Sequence, residues 1–240
     1  MVEKEAGVDM TKPHQTLSEL VAEQPGSARI LDRIGLDYCC HGTDSVHDAC
    51  ASAGIEVDDV VAALGACERT GDDHDCAAMS TGDLIAHLLE THHVYLHGEL
   101  PELVRLADKV RHVHGELHPE LERVHTLVCE IAADLEPHML KEERVLFPSI
   151  MQLGNGPVSF PFGSIRNPIA MMTIEHERAG QLLAELRAVT DAYSVPYDGC
   201  ASYWLLYERL AELEHDTHVH VFEENHLLFP RVLAHEAAGT

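Results

Sequence analysis

The sequence predicts an all-α protein, in which an antiparallel four-helix bundle follows a small helical N-terminal domain. Three observations lead to this prediction: apolar residues recur at helical spacing in four long segments, two of these segments repeat each other, and shorter helical segments precede them. The expected boundaries are 15–66 for the small domain, 67–80 for an acidic linker and 81–236 for the bundle.

The small N-terminal domain contains four short segments with helical patterning, which are TLSELVAEQ, ARILDRIGLDYCCHG, SVHDACASAGI and VDDVVAALGA. Thr16 and Glu19 have the spacing of a capping box at the start of the first segment. Cys39 and Cys40 are adjacent, and adjacent cysteines can form only a strained disulfide that is easily reduced. These residues alone support two interpretations equally: a redox-active or metal-handling thiol pair beside His41, or two small residues at a helix end.

Each long segment carries one inward-facing stripe, whose members recur mainly at steps of three and four residues. The less regular first stripe is Ile85, Leu89, His93, Leu96, Leu100 and Leu103, and the second is Val124, Val128, Ile131, Leu135, His138, Glu142 and Val145. The third is Ile169, Met172, His176, Ala179, Leu183 and Leu186, and the fourth is Leu206, Leu210, Leu213, Thr217, His220, Glu224 and Leu227. Pro101 is expected to kink or end the first helix.

Two of the four segments contain the same motif. The stretch HMLKEERVLFP at 138–148 matches HVFEENHLLFP at 220–230 in its histidine, glutamate, leucine, phenylalanine and proline positions, at an offset of 82 residues. His93 and His176 lie 45 and 44 residues before these motifs. We therefore expect two helical hairpins with one plan, each of which contributes one histidine and then one His-x-x-x-Glu pair.

Six polar residues occupy stripe positions that apolar residues would otherwise fill: His93, His138, Glu142, His176, His220 and Glu224. Residues four apart on a helix lie one turn apart on the same face, so each His-x-x-x-Glu pair points at one site. An unpaired carboxylate costs several kcal/mol when it is buried, and two facing carboxylates repel each other. Because no lysine or arginine occupies these stripe positions, a metal ion is the cation that would neutralise the two glutamates.

The nature of the donors predicts the kind of metal. Four imidazoles and two carboxylates suit iron or manganese, whereas thiolate sites favour zinc or iron–sulfur clusters and all-oxygen sites favour magnesium or calcium. The two-fold repeat predicts two ions, each held by two histidines and bridged by Glu142 and Glu224. This ligand set leaves coordination positions open for an oxo bridge or a small ligand, which favours chemistry at the metal over a structural role.

The composition limits the possible binding partners and the cellular compartment of the protein. The formal net charge of −25 repels a nucleic-acid backbone or an anionic membrane, and no apolar run is long enough for a transmembrane helix. The acidic N-terminus does not have the pattern of a secretory signal. Seven cysteines without CxxC spacing argue against an extracellular disulfide framework, so we expect a cytoplasmic protein. Structural or incidental roles are expected for Cys50, Cys67, Cys76, Cys129 and Cys200.

The remaining histidines of the bundle region have no partner at the repeat offset. We expect most of them to lie on solvated helix faces. The whole set is His87, His92, His97, His112, His114, His118, His125, His215, His218, His226 and His235.

The chain resembles the RIC proteins (repair of iron centres, ScdA/YtfE-type) in five motifs: DYCCHG, ETHHVYLHGELPEL, HMLKEERVLFP, MMTIEHERAG and HVFEENHLLFP. The resemblance covers about residues 16–233 and implies a cytoplasmic protein with a small helical domain and a hemerythrin-like di-iron bundle. It implies that the four stripe histidines are terminal ligands, that Glu142 and Glu224 bridge the irons, and that Cys39 and Cys40 are the family's vicinal pair. His41 departs from the family, in which glycine is common at that position.

Three functions compete at this stage. The first is repair of iron–sulfur clusters damaged by nitrosative or oxidative stress, in which the centre binds or reduces nitric oxide or donates iron to damaged client proteins. Its candidate catalytic residues are Glu142, Glu224, Cys39 and Cys40. The second is hemerythrin-like binding or sensing of oxygen or nitric oxide, and the third is an iron store or structural metal bundle. The sequence does not separate nitric oxide reduction, which would make the protein an enzyme, from iron donation, and it leaves open whether the chain forms a homodimer.

The oxygen-binding alternative depends on the number of histidines. Reversible oxygen carriers of the hemerythrin type use five histidines, and the stripes of this sequence supply four. A fifth would have to come from an unassigned residue such as His92 or His97. The sequence therefore disfavours an oxygen carrier without excluding one.

Overall fold

The computed structural model describes residues 15–65, 76–154 and 158–239, which are almost entirely helical and contain no β-strand. The predicted all-α fold is therefore confirmed for the described part of the chain. The N-terminal stretch 1–14 and residues 66–75, which include most of the predicted linker 67–80, lie outside the described residues.

Four short helices form the N-terminal region: α1 Leu17–Glu23, α2 Ser27–Ile34, α3 Val46–Ala53 and α4 Val57–Gly65. The predicted capping box begins α1, since the Thr16 hydroxyl accepts the Glu19 backbone N–H and the Glu19 carboxylate accepts the Thr16 backbone N–H. Helices α2 and α3 end at Gly35 and Gly54, whose φ values of 77° and 69° provide the left-handed cap that glycine favours. A single 3₁₀ turn, Cys76–Ala78, then precedes the bundle.

The bundle contains four long helices, three of which include a π-helical segment. The first consists of α5 Thr81–Leu88, the π segment Leu89–His93 and α6 Val94–His114, and the second of α7 Glu120–Lys141, the π segment Glu142–Leu146 and α8 Phe147–Leu153. The third is α9 Arg166–Val189, and the fourth consists of α10 Ala201–Phe222, the π segment Glu223–Leu228 and α11 Phe229–Gly239. We call these four units the first to fourth bundle helices.

Short connections and lateral packing make neighbouring bundle helices antiparallel. Helix α6 packs against α7 and α10, and α9 packs against α7 and α10, which closes the four helices around one core. Pro101 lies inside α6 and does not end it. Among the described residues, no helix is both long and apolar enough to cross a membrane.

The apolar core consists of two clusters separated by a polar layer. One cluster fills the end of the bundle that lies away from the N-terminal region, with fully buried residues such as Leu100, Leu127 and Leu210. The other cluster fills the opposite end of the bundle and continues into the N-terminal region, where Leu17 and Leu31 are fully buried. The N-terminal region therefore shares a core with the end of the bundle on which it packs.

Polar contacts also join the N-terminal region to the fourth bundle helix. The Asp32 carboxylate on α2 lies 2.5 Å from the His215 Nδ1 and 2.8 Å from the His218 Nδ1 on α10. Tyr38 is fully buried and packs edge-on against His218 and Phe222. Since these groups are shielded from water, the contact is stronger than a surface ion pair would be.

One stripe position was predicted wrongly. Val145 is 45% exposed, whereas its neighbour Leu146 is only 1% exposed and belongs to the core. The reason is the π segment Glu142–Leu146, which adds one residue to a turn and rotates the following residues relative to a uniform α-helix.

Candidate metal centre

The six polar stripe residues converge in the layer between the two apolar clusters. None of them is more than 2% exposed, and the set is His93, His138, Glu142, His176, His220 and Glu224. Their potential ligand atoms form two groups, in each of which all atoms lie within 4.8 Å of one another. One group is His93, Glu142, His220 and Glu224, and the other is His138, Glu142, His176 and Glu224. Both glutamates therefore belong to both groups.

Each glutamate directs one carboxylate oxygen toward a histidine of the first group and its other oxygen toward a histidine of the second group. The Glu142 Oε1 lies 3.1 Å from the His138 Nε2, and its Oε2 lies 3.5 Å from the His93 Nε2. This is the arrangement that a carboxylate needs if it is to bridge two cations.

Glu224 repeats this arrangement from the fourth bundle helix. Its Oε2 lies 3.1 Å from the His176 Nε2, and its Oε1 lies 3.7 Å from the His220 Nε2. The two His-x-x-x-Glu pairs thus occupy equivalent places, as expected from the internal repeat in the sequence.

The buried donor atoms lack partners within the described part of the protein. Both oxygens of Glu142 and Glu224, and the Nε2 atoms of His93 and His220, make no hydrogen bond there. The Nε2 atoms of His138 and His176 face each other at 3.1 Å, although a neutral imidazole can donate through only one nitrogen. Buried polar atoms without partners are destabilising, and cations placed between them would satisfy all of them. The donor set therefore fits metal ions.

Two of the histidines are oriented by carboxylates from another helix. The His93 Nδ1 lies 3.0 Å from the Glu143 Oε1, and the His138 Nδ1 lies 2.9 Å from the Glu175 Oε2. These contacts hold each ring so that its Nε2 points into the polar layer, which is the usual outer-shell arrangement around a metal-binding histidine.

Asn225 has the same role for the third histidine. Its Oδ1 lies 3.0 Å from the His176 Nδ1. The fourth histidine differs, because the His220 Nδ1 has no hydrogen-bond partner among the residues that the structure describes. The sequence analysis missed Glu143, Glu175 and Asn225, although each is the immediate neighbour of a predicted ligand and could have been identified on that basis.

The pKa values of two of these histidines shift in opposite directions. Burial alone would lower the pKa of His138, but Glu142 and Glu175 raise it to about 10. The hydrogen bond from His138 in turn lowers the pKa of Glu175 to about 2. Burial has the larger effect at His220 and lowers its pKa. Metal binding by His138 would therefore displace a proton, because histidine binds metal in its neutral form.

All three π-helical segments in the described residues contain a member of the site. His93 ends Leu89–His93, Glu142 begins Glu142–Leu146, and Glu224 lies in Glu223–Leu228. A π turn inserts one extra residue and reorients the side chains on either side of it. The segments therefore set the direction from which three of the six side chains enter the layer.

The structure places the predicted thiol pair beside this layer. The Cys39 carbonyl accepts hydrogen bonds from the Asn225 Nδ2 at 3.2 Å and from the His226 Nε2 at 3.0 Å. Since Asn225 also contacts His176, one side chain connects the backbone of the vicinal pair to a predicted metal ligand. The Cys40 thiol packs against α9, where a Cβ at Gly180 would lie 3.4 Å from its sulfur.

The two thiols are unbridged, with their sulfurs 3.7 Å apart. Asp37 organises the turn, because its Oδ1 accepts the backbone N–H groups of Cys39 and Cys40 and the Cys39 thiol. The hydrogen bond with Cys40 and complete burial raise the pKa of Cys39 well above its usual range. This arrangement therefore favours the protonated form of the Cys39 thiol.

The DYCCHG motif also needs its glycine. A Cβ at Gly42 would lie 2.4 Å from the Tyr38 carbonyl oxygen and 2.6 Å from the His226 Nε2. Only glycine allows the motif to approach the fourth bundle helix this closely. His41 lies on the exposed side, where its Nδ1 is 2.8 Å from the Asp37 Oδ2.

The expectation that most other bundle histidines lie on solvated faces is wrong. Of those histidines, only His97, His112 and His235 are exposed, and His92 is fully buried. The acidic residues of this chain explain the difference, since several of these histidines lie against carboxylates between elements. His92 and His97 do not extend the two groups that contain Glu142 and Glu224.

Comparison with known proteins agrees with this architecture. The hemerythrin HHE cation binding domain family matches residues 84–232, and a domain of unknown function, ScdA_N, matches residues 13–68. The chain is 32% identical to the iron-sulfur cluster repair protein YtfE of Enterobacter sp. (strain 638) over 222 residues, which cover 92% of this chain and 98% of the relative.

The chain belongs to the RIC family. A second member, the probable iron-sulfur cluster repair protein of Haemophilus influenzae, is 32% identical over 227 residues, 93% of this chain and 99% of the relative. A third, YtfE of Salmonella schwarzengrund, is 32% identical over 223 residues, 92% of this chain and 98% of the relative. The bundle of this RIC protein is accordingly a hemerythrin-type, cation-binding domain, and the buried layer of histidines and glutamates lies within the matched range.

Proposed function

We propose that this RIC protein holds two non-haem iron ions and uses them to repair iron–sulfur clusters damaged by nitrosative or oxidative stress. In this proposal His93 and His220 hold one iron, and His138 and His176 hold the other. Glu142 and Glu224 bridge the two ions together with an oxo or hydroxo group. The proposal rests on one observation: each glutamate directs one oxygen toward the first group of predicted ligands and its other oxygen toward the second group.

Iron in this site would supply open coordination positions for nitric oxide and one-electron redox chemistry, or would itself be the cargo delivered to a damaged cluster. The protein residues have separate tasks. Glu143, Glu175 and Asn225 orient three of the histidines, and the apolar clusters on both sides keep bulk water from the layer.

We further propose a division of labour between two domains in a cytoplasmic protein. Residues 15–66 form the domain that carries Cys39 and Cys40, and 81–236 form the iron-binding bundle. The thiol pair would dock a damaged client protein or supply reducing equivalents. The names of the relatives support repair as the task, and the contact between Cys39 and Asn225 supports a joint action of the thiol pair and the bundle.

Reactivation of a damaged enzyme tests the repair function. A [4Fe–4S] hydratase is inactivated with nitric oxide, and the reduced, iron-loaded full chain is added under anaerobic conditions. We expect hydratase activity to return with the wild type and not with the Glu142→Ala/Glu224→Ala double variant. The control is His112→Ala, which changes an exposed histidine and should act like the wild type. Failure of the wild type to restore activity, or equal restoration by the double variant, contradicts the proposal.

The same material separates nitric oxide reduction from iron donation. Mixing the reduced protein with nitric oxide should change its visible spectrum and produce nitrous oxide if the centre reduces the ligand. If the centre donates iron instead, reactivation should be accompanied by loss of iron from the bundle, measured after the two proteins are separated. No spectral change with nitric oxide excludes the reductase activity.

The structure offers no support for a reversible oxygen carrier. The two histidines considered for a fifth ligand are engaged elsewhere, since the His97 Nε2 lies 2.8 Å from Glu143 and the His92 Nδ1 lies 2.8 Å from Asp216. A stable and reversible complex with oxygen would nevertheless overturn the preference for repair.

A further inference from the structure

A second group of potential metal ligands lies next to the buried layer and shares none of its side chains. Cys76, His87 and Glu223 place a thiol, an imidazole and a carboxylate within 4.8 Å of one another. The His87 Nε2 is 3.4 Å from the Glu223 Oε1, and the His92 Nε2 is 3.7 Å from the Glu223 Oε2. A thiol and an imidazole therefore meet at one carboxylate, and the imidazole of His92 lies beside the other oxygen of that carboxylate.

Both histidine rings are held with their Nε2 atoms toward this point. The His87 Nδ1 lies 3.3 Å from the Thr91 hydroxyl, and the His92 Nδ1 lies 2.8 Å from the Asp216 carboxylate. A carboxylate on the far nitrogen of a histidine is the usual outer-shell support of a metal ligand. Protein contacts thus orient both rings before any ligand binds.

Burial leaves two polar atoms at this place without a hydrogen bond. His92 is 3% exposed and Glu223 is 4% exposed. In the described structure, the His92 Nε2 and the Glu223 Oε2 have no hydrogen-bond partner although they face each other. Buried polar atoms without a hydrogen bond are uncommon in folded proteins, and a cation bound by Glu223 would satisfy its Oε2.

The segment that carries the thiol is fixed to the bundle. Arg231 on α11 donates hydrogen bonds to the Ala77 and Met79 carbonyls, at 2.6 and 2.7 Å. These bonds clamp the 3₁₀ turn Cys76–Ala78 against the fourth bundle helix. Cys76 is therefore held in place by contacts other than those of its own thiol.

We propose that Cys76, His87 and Glu223 bind one divalent metal ion of the zinc class, in addition to the metals proposed for the buried layer. Zinc accepts one thiolate, one imidazole and one carboxylate among its tetrahedral donors. On binding, Cys76 releases its thiol proton to the solvent and the sulfur becomes a ligand. The ion would fasten the end of the connecting segment to the first and fourth bundle helices.

The new site adjoins the buried layer without merging with it. His92 precedes His93 in the chain, Glu223 precedes Glu224, and the His92 ring stacks on the His220 ring at a centroid distance of 5.3 Å. Occupancy of one site can therefore be measured separately from occupancy of the other, since no donor atom is common to both.

Cobalt substitution tests the proposal in the iron-loaded full chain. One equivalent of Co²⁺ should produce the near-ultraviolet absorption of a cobalt–thiolate bond, and added Zn²⁺ should remove it. We expect Cys76→Ser to lose this absorption while its iron content stays at the wild-type value. Cys50→Ser, which changes another buried cysteine outside the group, should keep the absorption.

A second variant tests the same site if Cys76→Ser does not fold. His87→Gln retains the thiol, and it should weaken zinc binding more than about tenfold, since loss of an outer-shell partner alone costs about 10- to 100-fold. Thermal unfolding provides another readout, because zinc should raise the melting temperature of the wild type and not that of Cys76→Ser. The proposal is overturned if the wild type shows no cobalt–thiolate absorption, or if Cys76→Ser and His87→Gln bind zinc like the wild type. Neither result bears on the iron content of the buried layer.

Discussion

At the scale of single residues, Glu142 and Glu224 are the decisive side chains. Both are fully buried, and neither oxygen of either carboxylate has a hydrogen-bond partner among the described residues. Buried carboxylates in this state destabilise a protein unless cations compensate them. The bundle therefore keeps these residues at the expense of its own stability, which supports the proposal that they serve a function.

The outer contacts of the histidines give the first prediction. Glu175→Gln removes the carboxylate that orients His138, and we expect it to weaken iron binding by about 10- to 100-fold. Competition with a coloured iron chelator measures this change. The matched control is Glu177→Gln, which makes the same charge change at an exposed position on the same helix. Equal affinities of the two variants would contradict the role assigned to Glu175.

The sequence predicted the six inward residues because each occupies a stripe position on its own helix. The orienting residues Glu143, Glu175 and Asn225 escaped this reasoning, since their contacts run between helices and they are only partly buried. The same limitation applies to Cys76, for which the sequence predicted a structural or incidental role. Its neighbours His87 and Glu223 come from two different helices that only the tertiary fold brings together.

At the scale of elements, the π-helical segments determine how three of the six predicted ligands enter the layer. A pattern of three- and four-residue steps assumes uniform α-helices, so it predicted the helices correctly and placed Val145 on the wrong face. A π turn leaves no compositional signal in this sequence, because its extra residue is read as a continuation of the helix. The position of each π segment beside a predicted ligand became evident only from the backbone.

Removal of one π turn gives the second prediction. Deletion of Val145 should restore an uninterrupted α-helix at Glu142–Leu146 and redirect Glu142, so that the protein stays helical and loses iron. Circular dichroism measures helicity, and iron analysis measures occupancy. Val145→Ala retains the extra residue and serves as the control, which should bind iron normally. Full iron occupancy in the deletion variant would show that the π turn is dispensable.

At the scale of the whole molecule, the N-terminal region and the bundle form a single packed unit. Asp32 is the central polar contact, since it is largely buried and lies against both His215 and His218. Loss of one partner from a buried ion pair costs about 3 to 5 kcal/mol. The sequence predicted the two parts and left their relative placement open, because the contacts between them are separated by more than 180 residues.

Asp32→Asn gives the third prediction. We expect the free energy of local opening of α2 to fall by about 3 kcal/mol, as measured by hydrogen exchange of its backbone amides. Asp44→Asn, at an exposed position, is the control and should leave this exchange unchanged. Unchanged exchange of α2 in Asp32→Asn would mean that apolar packing alone holds the two parts together.

Acid should weaken the same contact. Burial raises the pKa of Asp32, but hydrogen bonds from His215 and His218 outweigh it and lower the pKa below the ordinary value of 3.8. A carboxyl group with a lowered pKa contributes stability above its unfolded-state pKa, and this contribution is lost as the pH falls through the folded-state value. The difference between wild type and Asp32→Asn, measured by limited proteolysis, should therefore persist at neutral pH and disappear in strong acid. A difference that grows with acidity would contradict this assignment.

We propose that one buried layer of this protein holds two irons between two shared carboxylates. Iron analysis of the reconstituted full chain, combined with its visible spectrum, tests this claim most directly. We predict about two irons per chain and the absorption of an oxo-bridged ferric pair, both of which the Glu142→Ala/Glu224→Ala double variant should lose. A single iron per chain, or a buried layer that takes up one zinc and no iron, would contradict the account.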